Sequence, residues 1–192
     1  MKPIVYISST LLLLLAGGIA FLYYTGVFSE VSVKPEDKGP FHIAYLEYRG
    51  AYKGIGPTFE RVEELMKGEN ITPDAYAGLY FDAPDKVEES KLRSQAGAII
   101  TETDYRNLEE KRSGELKLRI IPRSEFAFAQ FPLKNFLSII AGVYRVYPAL
   151  QEYALSRRFP EFSYKETGYE NHFIMEVYYS DRIEYLMRIP VK

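Results

Sequence analysis

Glu176-Val-Tyr178 places a carboxylate and a phenol two residues apart in a run, Phe173 to Tyr179, that reads as a β-strand. Alternation puts Ile174, Glu176 and Tyr178 on one face and Phe173, Met175, Val177 and Tyr179 on the other. An acid among apolar neighbours costs free energy unless something compensates it. A ligand cation or hydrogen-bond donor would do so; a phenol of the protein or Arg188 would do so too, and a solvent-facing edge position would remove the need. Tyr80 lies in a second run of the same character, Ala77-Gly-Leu-Tyr-Phe81, so Tyr80 and Tyr178 could wall a cation on two sides or simply pack across strands. Tyr52 follows Gly50 in a glycine-rich loop and would gate such a site or cap the first helix of the domain. Tyr45, Phe128 and Glu47 are further candidates from other strands. The same carboxylate and phenols could instead act as base and acids in a hydrolysis, so an enzyme stays an alternative to a binding protein.

Composition removes other chemistries. There is no cysteine, hence no thiolate nucleophile, no cysteine-held metal and no disulfide. The two histidines, His42 and His172, stand far apart and form no HExxH-type zinc spacing, so no metal and no cofactor is expected. A formal net charge of −2 and the absence of a basic stretch argue against a nucleic-acid partner.

Three regions position these residues. Residues 1–29 carry no charge between Pro3 and Ser29 and hold a leucine run, Leu11 to Leu15, long enough to span a bilayer as a helix. A retained single-pass transmembrane anchor is the favoured reading, with a cleaved signal peptide ending near Gly18-Ile-Ala20 as its rival. Lysines nearly balance across this segment (Lys2 against Lys34 and Lys38), so the side of the domain stays open, with a non-cytoplasmic domain preferred. Residues 30–40, with two prolines and a glycine, read as a polar linker, and 41–192 as the folded domain.

Within that domain one order of elements occurs twice. A strand at Phe41–Tyr48 is followed by a helix starting at Thr58, a strand at Tyr76–Phe81 and a strand at Ala96–Thr101. After a charged connector (102–114), with room for a short helix, and an alternating strand (115–121), the order returns: a strand at Glu125–Phe131, a long helix from Phe136 to Ala154 on whose apolar spacing Tyr147 falls, and a hairpin of His172–Tyr179 with Ile183–Val191. Pro148 should kink or split that helix. Two such units packed about a pseudo-twofold would leave a groove between them.

This order resembles the GyrI-like (gyrase-inhibitor-like) small-molecule-binding domain family. The likeness rests on Gly50-Ala-Tyr52, Gly78-Leu-Tyr-Phe-Asp-Ala-Pro84, Lys91-Leu-Arg93 with Gly97, Phe131-Pro132, Leu137-Ser-Ile139, Arg145-Val-Tyr-Pro-Ala-Leu150, and Glu176-Val-Tyr178 with Ile189-Pro190. It is greatest towards a membrane-anchored branch that includes an ER-phagy receptor. The resemblance implies an α+β fold: duplicated strand-helix-strand-strand units in a concave antiparallel sheet, helices on its outer side. It also implies binding of a small, apolar or cationic ligand at Glu176, Tyr178 and Tyr80, as in an effector-binding domain. The sequence shows neither a helix-turn-helix nor a long adaptor-binding tail, so the receptor role is not expected to carry over. A membrane-tethered scaffold with a protein partner is the further alternative.

Overall fold

A computed structural model describes residues 2–111, 114–157 and 173–188; for residues 2–9 it describes the backbone alone. Helix α1 (Lys2–Tyr24) leads into β1 (Lys34–Lys38). The first repeat is β2 (Phe41–Arg49), α2 (Gly56–Gly68), β3 (Ala75–Tyr80) and β4 (Arg93–Ile100). Helix α3 (Glu102–Lys111) and β5 (Lys117–Ile121) connect it to the second: β6 (Ser124–Pro132), α4 (Phe136–Ser156), β7 (Ile174–Tyr178) and β8 (Arg182–Arg188). The expected α+β duplication is therefore present. His172 and Ile189-Pro190 lie outside the described residues.

All eight strands join one antiparallel sheet in the order β1-β6-β8-β7-β3-β4-β2-β5. The two repeats meet at β3 and β7, where Gly78 faces Glu176. Tyr80 and Tyr178 each lie two residues further along their own strand, so a pseudo-twofold passes through the Gly78–Glu176 pair. Among the described residues helices cover one face: α2 and α3 lie over Ala44, Ala96 and Ala98, and α4 lies over Ala127, Ala129 and Tyr185. The bare face is nevertheless buried, with Phe126, Leu79, Met175 and Val177 fully enclosed. The sheet achieves this by curling into a half-barrel around them, which leaves the helices on its outer side.

The structure refines three local readings. Residues 30–40 are not a free linker, because Lys34–Lys38 pairs with β6 as an edge strand. The charged connector contains α3, a ten-residue helix whose Tyr105 is buried against the ring of His42. Pro148 lies inside a single α4 assigned from Phe136 to Ser156. That helix starts at a full capping box: Asn135 Oδ1 accepts from the Ser138 N–H, and Ser138 Oγ accepts from the Asn135 N–H.

Among residues with described side chains, which in α1 begin at Thr10, no helix is long and apolar enough to cross a membrane.

Candidate functional site

Glu176 sits at the middle of β7, on the helix-bearing face, and is only 3% exposed. Its neighbours across the sheet follow from register. Gly78 stands beside it on β3 and Tyr185 on β8; beyond them come Ala96 and Leu46 on one side and Ala129 on the other. Gly78 has no side chain, and a Cβ there would lie 2.8 Å from Tyr80 Oη. The glycine thus lets the Tyr80 ring lean in towards the dyad.

Phenols hold the carboxylate on both oxygens. Tyr178 Oη donates to Oε2 at 2.5 Å, and Tyr147 Oη, from α4, donates to Oε1 at 2.7 Å. Tyr80 Oη lies 3.3 Å from Tyr178 Oη. Since the Tyr178 proton is directed at Glu176, Tyr80 is the donor of that pair. The Tyr52 ring meets Tyr80 edge-on at 4.9 Å, while its hydroxyl accepts from the Asp82 N–H at 2.9 Å and donates to the Asp82 carbonyl at 2.8 Å. Phe59 of α2 stands edge-on to Tyr178 at 5.8 Å. Both repeats therefore contribute, and α2 and α4 flank the cluster.

Electrostatics follow from burial. Loss of hydration pushes the Glu176 carboxyl above its ordinary value of 4.5, opposed by the hydrogen bonds from Tyr178 and Tyr147. Burial, reinforced by the Glu176 charge, raises Tyr147, Tyr178 and Tyr80, so all three remain protonated donors at neutral pH. Among the described residues no cation pairs with Glu176. Tyr185 is fully buried against Tyr147, and among the described residues its hydroxyl has no hydrogen-bond partner.

Of the residues singled out from sequence, Glu176, Tyr178 and Tyr80 meet directly, and Tyr52 backs Tyr80. Tyr45 and Phe128 do not reach them. Each is one residue out of phase with the Glu176 row, occupied there by Leu46 and Ala129, and so points into the half-barrel. Glu47 is exposed and paired with Lys117. Sequence reasoning missed Tyr147 and Tyr185. In the sequence Tyr147 is one of several residues at helical spacing with nothing to mark it, and Tyr185 joins Glu176 only through the β7–β8 register. Glu176 itself is covered, while Tyr80 and Tyr178 are half-buried; two surface concavities beside α3, at the C-terminal end of α2, are not lined by Glu176.

Residues 32–191 match the GyrI-like small molecule binding domain. The chain belongs to the GyrI-like family. It is 29% identical to testis-expressed protein 264 of Homo sapiens over 193 aligned residues, covering 94% of this chain and 55% of that protein. The Mus musculus homolog is 28% identical, covering 87% of this chain and 52% of its own length. The chain thus spans about half the length of the curated relatives it matches. Two solved structures share the GyrI-like fold. SAV2435 bound to tetraphenylphosphonium overlays with a TM-score of 0.53 at 9% identity, covering 83% of this chain and 94% of that one. The EcmrR C-terminal domain overlays with a TM-score of 0.52 at 11% identity, covering 84% and 99%.

Proposed function

We propose that this GyrI-like domain binds a small lipophilic cation between α2 and α4, with Glu176 as counter-charge and Tyr80, Tyr147 and Tyr178 as walls. The observation that carries this is a carboxylate buried at the dyad between the two repeats, satisfied by phenols and by no protein cation among the described residues. A buried charge without an ionic partner is costly, and a ligand cation would offset that cost. The tetraphenylphosphonium complex of a protein with this fold supports the choice of charge and of apolar bulk. Tyr147 covers Glu176, so binding requires α4 to yield. Pro148 favours that motion, because it lacks the N–H that would bond the Tyr144 carbonyl one turn back.

Titrating the full chain with tetraphenylphosphonium and with the uncharged triphenylphosphine oxide tests the proposal. Glu176→Gln should weaken the cation about 10–100-fold, through loss of a counter-charge in a dry site, and leave the neutral compound nearly unchanged. Affinity for the cation should also rise with pH, by up to about tenfold per pH unit, until Glu176 is ionised. Equal weakening of both compounds, or binding of neither by the parent chain, would overturn the assignment.

The chain is also proposed to be held at a bilayer through α1, as a single-pass anchor with the domain on the non-cytoplasmic side. Support comes from 23 residues in one helix, about 35 Å of rise, and from leucines 11–15, each at least 60% exposed.

A further inference from the structure

Helix α4 buries one face on the sheet, yet its opposite side is also apolar. Phe136, Leu137, Ile140, Val143 and Tyr144 recur at helical spacing and are exposed, Phe136 to 71% and Tyr144 to 77%. Scattered apolar side chains on a surface are ordinary, but a contiguous stripe along one helix marks a contact surface. From Lys134 to Gln151 the sequence has no acidic residue, and both Lys134 and Arg145 are exposed. An apolar stripe whose own segment carries basic and no acidic residues suits a helix lying in a membrane interface; the exposed acid beside it is Glu30 of the preceding chain, next to Ser29.

The stripe begins where α1 ends. Thr25, the residue after α1, is fully buried, and its carbonyl accepts from Ser138 Oγ of α4 at 2.9 Å. Two turns on, Arg145 Nη2 donates to the Ser29 carbonyl at 3.1 Å. Val27, Val31 and Val33 pack into the same core as α4. The chain leaving α1 is therefore strapped along α4 rather than free to swing. Phe136 and Tyr144 lie about 12 Å apart along the helix axis, and the strap is tied to α4 at Ser138 and Arg145 between and beside them. Immediately before Thr25, at the same end of the strap as the start of the stripe, Phe21, Leu22, Tyr23 and Tyr24 are exposed as well.

We infer that the outer face of α4 is a membrane-contact surface: Phe136, Leu137, Ile140 and Tyr144 enter the headgroup boundary of the bilayer that holds α1. This rests on the reading of α1 as an anchor, and it adds an orientation, since the α4 side of the sheet would then face the lipid. A lipophilic cation concentrated in that boundary would meet the ligand site from the membrane side. Burial of these side chains to a depth of about 5–10 Å is the usual range for interfacial helices.

The chain contains no tryptophan, so single tryptophans report without background. Full-length Phe136→Trp, Tyr144→Trp, Leu13→Trp and Glu60→Trp are each reconstituted into vesicles of phosphatidylcholine with brominated acyl chains. Glu60 is exposed on α2 and serves as the control. The two α4 tryptophans should be quenched at least about half as strongly as Leu13→Trp, with Glu60→Trp unaffected. Unquenched α4 tryptophans beside a quenched Leu13→Trp would overturn the surface and leave the anchor standing. If their emission then shifts to the blue with protein concentration, a second copy covers the face instead of lipid. Quenching at α4 without quenching at Leu13→Trp would keep the surface and remove the anchor, and no quenching at any position would remove both.

Discussion

Replacing Tyr147 by phenylalanine tests how the carboxylate is held. The change deletes one oxygen and keeps the ring that packs edge-on against Tyr185 at 6.1 Å. Glu176 Oε1 then loses a donor at 2.7 Å and faces an apolar edge. With Glu176 ionised, a charge-assisted bond in a buried site is worth about 1.5–3 kcal/mol, or roughly 3–12 °C in melting temperature for a chain of this size. The loss should depend on pH. Burial already raises the folded-state carboxyl above 4.5, and removing a hydrogen bond to the charged form raises it further. An acid raised on folding binds its proton more tightly in the folded state, so its stabilising contribution is full below 4.5 and is lost as pH climbs through the folded value. Tyr147→Phe widens that window. Its cost should therefore be smallest in acid, about 0.5–1.5 kcal/mol for a neutral hydrogen bond, and largest where Glu176 is ionised. Denaturant melts of the parent, Tyr147→Phe, Glu176→Gln and the double variant across pH provide the measurement. A loss independent of pH, or undiminished in the Glu176→Gln background, would refute the coupling of Tyr147 to the charge.

Two further expectations concern packing and attachment. A Cβ added at Gly142 would collide with Tyr185 Oη and lie 3.3 Å from Phe131 Cδ1, so Gly142→Ala should cost about 1–3 kcal/mol in urea unfolding. Tyr185→Phe removes a buried hydroxyl that has no partner among the described residues and should be neutral or stabilising, and should recover much of the Gly142→Ala loss; additive losses would show that the collision is relieved elsewhere. Carbonate-washed membranes should retain the full-length protein with its N-terminus intact, whereas a soluble product starting near Phe21 would identify a cleaved signal peptide.

Local pattern determined much of the site. The alternation of β7 alone places Glu176 and Tyr178 together, and the repeat alone places Tyr80 as the counterpart of Tyr178, because side-chain direction along a strand depends only on position. The helix of the second repeat is legible from its spacing, and the pairing of β3 with β7 bears out the duplicated fold. Other features needed the assembled sheet. β1 is a polar edge strand, joined to β6 through the backbone in a way its side chains do not announce. Tyr45 and Phe128 are aromatic and on neighbouring strands, yet the row running Leu46, Ala96, Gly78, Glu176, Tyr185, Ala129 excludes them. That row is fixed by inter-strand register, where a slip of one residue exchanges the two faces of a strand. The same register brings in Tyr185, and the docking of α4 brings in Tyr147. Sequence determines which face each side chain takes on its own strand; only tertiary pairing decides which faces coincide, and that is what surrounds Glu176 with phenols.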